Sequence, residues 1–405
     1  MRKALKFVFD DYTLSDERKT IIFRYHAEFA DVADVEFQEK LVFDESLPDP
    51  KSHGSLAQAL HFYHITAGVS YYKAHLAPQI ASHGLDPWAA EAISTIYRHG
   101  LGEFLYMNQL SPDDVAQFEP EAMQELPTTN KTVGQDSWLV PIGGGKDSLT
   151  TTTILQQRDQ AFDAFRINTN SWVSSQLDEI GAPQQLVQRE FDSFLTSDQE
   201  QYRGHVPVTA IVSAAAVIVA VANGHQAVVF SNESSADEPT IDDYKGMAVN
   251  HQWAKSTAAE ELVQRYISRY ISSDLEYFSL LRLMSELDIA EIFARAALPR
   301  YSGLWSSSNT NFRHDAPDKL DWDLTSPKTC TVFLLLAPFV EREQLIAEFG
   351  GNPFTLKENE ETWVKLLGQR DSKPFECVAT IDEMQQAWQL AAESGDWPEL
   401  QNRND

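Results

Sequence analysis

The sequence predicts an α/β protein: a parallel-sheet core, preceded by an N-terminal antiparallel β-rich module and followed by a helical C-terminal part. Three observations lead there. Before residue 50, apolar and polar residues alternate in short runs with period two. From Ser137 onward, short apolar strands alternate with helical stretches, the pattern of βαβ units. Beyond Lys255 the spacing is mostly helical to about Ala297. At about 150 residues per domain, the 405 residues suggest two or three domains. The changes in texture divide the chain as 1–125, 135–345 and 346–405.

The elements follow in order. Leu5-Phe7-Phe9, Ile21-Phe23-Tyr25 and Val35-Phe37 put apolar residues at every second position, with turn residues between them, so a small antiparallel sheet is expected. Ser55 to His75 and Pro87 to Asn108 show helical spacing, and Asp86-Pro87 is a good helix start. Pro112 to Gln135 is polar and reads as a linker. Ser137 to Pro141, Ala164 to Ile167 and Gln226 to Phe230 are short apolar strands. A helix is expected from Ser148, and a buried one over Pro207 to Asn223. Thr331 to Phe349 and Ile381 to Ala392 read as further helices.

Composition excludes several function classes. Hydrophobic residues make up 43% of the chain, enough for a packed core and against disorder. Lys plus Arg number 32 against 60 Asp plus Glu, a formal net charge of −28. Such a balance argues against nucleic acid or an anionic membrane as partner, because phosphate contacts need Lys and Arg. The apolar run Ala210 to Ala222 is shorter than the roughly 20 residues that span a bilayer. The N-terminus lacks the apolar stretch of a signal peptide. Two cysteines, Cys330 and Cys377, allow neither a disulfide framework nor a four-cysteine zinc site. A soluble protein of the reducing cytoplasm is expected; its oligomeric state is left open.

The informative turn is Gly143-Gly144-Gly145-Lys146-Asp147-Ser148, between a strand and a helix. Consecutive glycines let the backbone approach a ligand, and the helix N-terminus adds positive potential. Lys146 adds a charge, Ser148 a hydroxyl, and Asp147 a carboxylate suited to a magnesium ion bridging phosphates. The spacing is not that of the Walker loop. It resembles the loop of the PP-loop ATP pyrophosphatases, usually Ser-Gly-Gly-x-Asp-Ser, with Gly143 in place of the Ser. That resemblance implies an adenine nucleotide alpha hydrolase-like core that cleaves ATP to AMP and pyrophosphate, commonly adenylating a substrate oxygen.

A second constellation follows the third strand: Ser231-Asn232-Glu233-Ser234-Ser235-Ala236, then Val249-Asn250-His251-Gln252-Trp253-Ala254-Lys255-Ser256. The C-terminal ends of parallel strands are where ligands bind in open α/β sheets. With the glycine turn, with Leu298-Pro-Arg-Tyr and with Phe333-Leu-Leu-Leu-Ala-Pro-Phe339, these runs resemble the UDP-N-acetylmuramoyl-L-alanyl-L-glutamate epimerase family from about Trp138 to Phe339. The resemblance implies conversion of the terminal L-Glu of a nucleotide-linked muramoyl dipeptide to D-Glu, in peptidoglycan precursor synthesis, with ATP and magnesium. One departure stands out. The family often carries a Cys-Pro-Lys-Cys cluster where this chain reads Ser326-Pro327-Lys328-Thr329-Cys330, so no zinc is expected.

Roles for the residues follow from the chemistry implied. Adenylating the α-carboxylate removes its charge and lets the carbonyl stabilise an enolate, so a base can take the Cα proton. Gly143, Gly144, Gly145, Lys146 and Ser148 would cradle the departing phosphates, and Asp147 with Glu233 would hold magnesium. Ser231 and Asn232 suit ribose-phosphate contacts, and Asn168 would lie near the adenosine. Asn250, His251 and Lys255 would face the substrate carboxylate or move protons, with His251 the preferred base by intrinsic pKa. Arg300, Arg313 and Lys328 suit the substrate's carboxylates or phosphates, and Arg300 and Arg313 are equally readable as surface residues. The alternatives are a ligase or amide synthetase using the same acyl-adenylate, a related epimerase on another carboxylate, and a non-catalytic nucleotide-binding protein.

Overall fold

The structure, a computed structural model, describes residues 4–121, 134–197, 202–308, 311, 320–370 and 372–401. The first strands are β1 (Ala4–Phe9), β2 (Thr13–Leu14), β3 (Thr20–Phe29), β4 (Val35–Phe43) and β5 (Ile80–Ala81). Those in the rest of the chain are β6 (Gln135–Pro141), β7 (Phe162–Ile167), β8 (Gln184–Phe191), β9 (His225–Phe230) and β12 (Glu276–Ser279), with the hairpin β10 (Ile241–Tyr244) and β11 (Met247–Val249) between the last two. All but the hairpin form one ten-stranded sheet in the order β12-β9-β6-β7-β8-β4-β3-β1-β5, with β2 beside β3. The segment from β12 to β8 is parallel; β8 pairs antiparallel with β4, and β4, β3 and β1 continue antiparallel.

The antiparallel strands and the parallel core are therefore one sheet, sealed at the β4–β8 pair. Glu39 on β4 is fully buried there. Arg189 on β8 grips it with two hydrogen bonds, Nε to Oε1 at 3.1 Å and Nη2 to Oε2 at 2.8 Å. The Tyr63 and Tyr71 hydroxyls donate to the same carboxylate. A buried carboxylate is tolerated because every face of it meets a donor.

Side chains alternate across the sheet and feed two cores. Leu139 and Val228 join the core that holds the helices Gly54–Ala67 and Val208–Asn223. Val140 and Val229 join the core built on the helix Pro327–Leu336 and on Trp305, Trp363 and Trp397. The apolar helix Val208–Asn223 is buried between the sheet and the helix Gly54–Ala67 and stops at Gly224, whose φ of 75° suits glycine. Among the described residues no helix is long and apolar enough to cross a membrane.

Several elements differ from expectation. The stretch expected to be helical beyond Lys255 contains β12, recruited to the sheet by parallel pairing with β9. The helix expected over Thr331 to Phe349 is two, Pro327–Leu336 and Arg342–Phe349, because Pro338 lacks a donor and its ring crowds the preceding turn. The β10–β11 hairpin turns through Lys245 (φ 52°) and Gly246 (φ 84°), the doubly left-handed turn that suits hairpin twist.

One buried base makes a testable consequence of this packing. His64 lies against the rings of Phe9, Phe23 and Tyr25 and donates through Nε2 to the Arg24 carbonyl at 3.1 Å. Burial lowers its pKa from 6.5 to about 4. Between those values the unfolded chain binds a proton that the folded one refuses, so stability is lost as pH falls through the window. Each such group contributes a slope of up to about 1.4 kcal/mol per pH unit. Urea unfolding from pH 7 to 4 is expected to show that slope diminished in His64→Gln; an unchanged slope would place the titration elsewhere.

Candidate active site

β6 is the pivot of the parallel sheet. The helix Lys146–Gln157 carries the chain from β6 to β7 on one side, and the helix Val208–Asn223 returns it to β9 on the other. The crevice outside the C-terminal ends of these strands is where such a reversal leaves room for a ligand. A cavity of about 320 Å³ opens there. Gly143, Gly145, Asp147 and Ser148 line it from the end of β6. Arg166 and Ile167 come from β7, Ser231 and Asn232 from the end of β9, and Lys255 from the segment before the helix Thr257–Tyr266. The C-terminal part adds Ser307, Lys328 and Cys377. Phe165, Phe230 and Val212 supply apolar wall.

The glycine turn is shaped by its neighbours. Gly144 has φ of 89°, a conformation L side chains avoid. Its carbonyl accepts from Ser306 N at 3.2 Å and from Gln176 Nε2 at 3.1 Å. A Cβ on Gly145 would sit 2.6 Å from Ser307 Oγ, which itself accepts from Lys146 N at 3.3 Å. Nothing stands within 4 Å of a Cβ on Gly143. The turn thus rests on the 304–307 segment behind it and is open in front.

Behind the turn lies a compact charge cluster. Lys146 is fully buried, one helical position from the cavity wall, and pairs with Asp147 and Glu286. Glu233 is buried beside them, and its pKa is pushed up to about 7 by burial and by the charges of Glu286 and Asp147, against the pull of Lys255 and Lys146. Burial works against the ionised form of Asp147 too, but Lys146 and Lys328 outweigh it and hold its pKa below the usual value. The Lys146 ammonium is held firmly protonated: burial opposes its charge, and Asp147 and Glu286 more than restore it. Ser231 Oγ is buried at the cavity wall without a hydrogen-bond partner.

The far wall holds a chain of proton-bearing groups. Lys255 Nζ donates to Cys377 Sγ at 3.4 Å. His251 hydrogen-bonds Glu103 through Nδ1 and lies close enough to Cys377 for the two groups to shift each other's protonation. Glu103 also approaches His205 Nδ1 at 3.6 Å. Burial opposes the Cys377 thiolate, but Lys255 and His251 bring the thiol from 9.0 down to about 6. Burial likewise opposes the His251 imidazolium, but Cys377 and Glu103 raise its pKa to about 9. The pair is therefore thiolate and imidazolium near neutral pH.

The sequence-predicted residues are distributed unevenly. Gly143, Gly145, Asp147, Ser148, Ser231, Asn232, Lys255 and Lys328 meet at the cavity, with Gly144, Lys146 and Glu233 directly behind and His251 beyond Cys377. Asn250 instead ties two loops, donating to the Ala236 carbonyl at 2.7 Å and accepting from Gln252 N at 2.7 Å. Asn168 lines a separate groove, locked to the backbone of Arg189 by Oδ1 at 2.8 Å. Arg300 clamps Glu179 and Gln156, at 2.8 and 2.7 Å, at the far ends of their helices. Arg313 lies outside the described residues. Sequence reasoning missed Glu286, Ser307, Arg166 and Cys377 as site residues. Cys377 alone carried a signal: it is one of two cysteines, three positions beyond Pro374 in a run that no helix or strand claims.

Comparison with known proteins identifies the family. Residues 1–280 match the model of the MurL N-terminal domain, and residues 304–402 that of the MurL C-terminal domain. A protein of Xanthomonas oryzae pv. oryzae (strain MAFF 311018), named UDP-N-acetyl-alpha-D-muramoyl-L-alanyl-L-glutamate epimerase, is 36% identical over 350 residues, 85% of this chain and 77% of its own. One of the same name from Micromonospora sp. (strain ATCC 39149 / NRRL 15099 / SCC 1413) is 33% identical over 406 residues, 98% of this chain and 89% of its own.

Proposed function

This chain belongs to the MurL family and is an isomerase, and from that premise we propose that it inverts the terminal L-Glu of UDP-N-acetylmuramoyl-L-Ala-L-Glu to D-Glu, consuming ATP through a carboxyl-adenylate. One observation carries the ATP requirement: a glycine turn opens a helix at the sheet's switch point, with its front face free and its back braced by Ser306 and Ser307.

The residues present fit the nucleotide and its metal. Gly143 leaves room for a phosphate against the backbone, and the orphaned Ser231 hydroxyl lacks a partner that a ribose or phosphate oxygen would supply. Asp147 and Glu233 offer the hard oxygen donors that magnesium takes. Bound there, magnesium would neutralise phosphate charge as pyrophosphate leaves. Lys146 keeps the neighbouring carboxylates from repelling one another. Lys328, at the start of the helix Pro327–Leu336, presents an ammonium to the cavity for the substrate's anionic groups. Once the α-carboxylate is adenylated, its Cα–H becomes acidic enough for a side-chain base; inversion needs only removal on one face and delivery on the other, after which water would hydrolyse the acyl-adenylate to the product and AMP.

The test is incubation with UDP-N-acetylmuramoyl-L-Ala-L-Glu, ATP and magnesium in deuterium oxide. D-Glu carrying one deuterium at Cα, formed only with ATP and accompanied by AMP, is expected. AMP without D-Glu would sink the epimerase reading in favour of a ligase; inversion without ATP would sink the adenylate. In Asp147→Asn, AMP formation is expected to fall by at least about 10²-fold, the scale of removing one electrostatic contact to the reacting group.

A further inference from the structure

The two cysteines of this chain sit in opposite environments. Cys330 is fully buried in the helix Pro327–Leu336, and burial pushes its thiol up to about 12. Such a group packs and does not react. Cys377 lies at the wall of the cavity that holds the glycine turn. Lys255 Nζ meets its sulfur at 3.4 Å, and the His251 imidazole is near enough to stabilise its charge. Glu103 engages His251 Nδ1, which fixes the ring and supports its positive charge. A sulfur, an imidazole and an orienting carboxylate in sequence are what activates a thiol. Here a lysine and the cavity are added.

We propose that the Cys377 thiolate, held between Lys255 and the His251–Glu103 pair, is the base that takes the Cα proton of the activated glutamyl residue. This rests on the epimerase reading above. The Cα–H bond breaks, its proton forms the S–H bond of Cys377, and its electron pair moves into the enolate of the adenylated carboxyl. A solvent-derived proton delivered to the opposite face makes the new Cα–H bond. Cys377 then releases its proton to solvent and returns to the thiolate. His251 is not among the residues that line the cavity; it is a positioning residue that keeps the sulfur ionised. The groups facing the sulfur are Lys255, His251 and Lys328, with Glu376 adjacent in the chain. Three cations against one carboxylate favour the charged sulfur.

The experiment compares the full-length protein with Cys377→Ser, Cys377→Ala and His251→Gln, each with UDP-N-acetylmuramoyl-L-Ala-L-Glu, ATP and magnesium in deuterium oxide. AMP, D-Glu and deuterium at Cα of both product and recovered substrate are followed, with circular dichroism as the check on folding. In the Cys377 variants D-Glu and deuterium incorporation are expected to fall by about 10²–10⁴-fold while AMP still forms. Alkylation of wild-type Cys377 by iodoacetamide is expected to inflect near pH 6 and to move upward in His251→Gln. D-Glu within about tenfold of wild type in Cys377→Ala would overturn the proposal, as that lies below the range for a lost general base. So would equal loss of AMP and D-Glu in folded Cys377→Ala, which would mark a binding or structural role. An acyl adduct on Cys377 in the intact mass would reassign it to acyl transfer. If the wild-type protein makes no D-Glu, the epimerase reading fails first and the proposal with it.

Discussion

Lys146→Met is expected to destabilise the protein by about 3–5 kcal/mol and to abolish turnover. That is the scale for removing one partner of a buried ion pair and leaving its charge uncompensated. Lys146 is fully buried, paired with Asp147 and Glu286, and close enough to Glu233 for the charges to interact. Methionine fills the volume and takes away the cation. Three carboxylates then face one another with only Lys255 and Lys328 at the rim. Acid should relieve the damage. Glu233 already has its folded pKa raised from 4.5 to about 7, so its contribution is fully present below 4.5 and is lost as pH rises through 7. Without Lys146 that loss grows, and the gap between variant and wild type should be wider at pH 8 than at pH 5. Urea unfolding at both values measures it. A uniform loss below about 1 kcal/mol would mean that water reaches the cluster and screens it.

Gly145→Ala is expected to lower ATP-dependent turnover by about 10²-fold, because a misplacement of about 1 Å at a reacting group costs that much. The added Cβ would stand 2.6 Å from Ser307 Oγ, a contact real structures do not make. Ser307 cannot turn away freely, since its hydroxyl accepts from Lys146 N. The turn must therefore shift toward the cavity. Ser307→Ala removes the obstructing oxygen and should restore part of the activity in the double variant, although Lys146 N then loses its partner. Steady-state AMP release in the two single variants and the double closes the cycle. Independent, additive losses would show that Gly145 and Ser307 do not meet in the working enzyme.

The glycine turn was legible because its signal is local: strand, turn and helix are contiguous, and Gly144 and Gly145 both need to be glycine for reasons within a few residues or one contact. The buried helix Val208–Asn223 was legible from its run of Ala, Val and Ile. β8 was not. Its sequence, Gln184–Phe191, is polar at most positions and gains its place from β7 on one side and β4 on the other, some 20 and 150 positions away. β12 failed for the same reason, with only four residues to show. The site divides likewise. Asp147, Ser231 and Lys255 follow strands or open helices and could be placed by order alone. Glu286 reaches Lys146 across 140 positions, Ser307 across 161, and Cys377 reaches Lys255 across 122. No periodicity encodes such meetings. Arg300 and Asn168 were attractive by residue type, yet a guanidinium and an amide serve equally to tie helix ends and strand backbones.

The ends of the ten-stranded sheet also bear on how this protein behaves at high concentration. A strand at the margin of a sheet is a template, because its free N–H and C=O groups invite another chain to add on. Among the described residues the margins are β12, with four residues, and β5, with two. The second is shortened further as a template where Ile80 bridges to Phe118. Neither offers a run long enough to seed pairing between molecules, and a formal charge of −28 keeps copies apart. On these margins a sheet this wide resists fibril-like association through its edges.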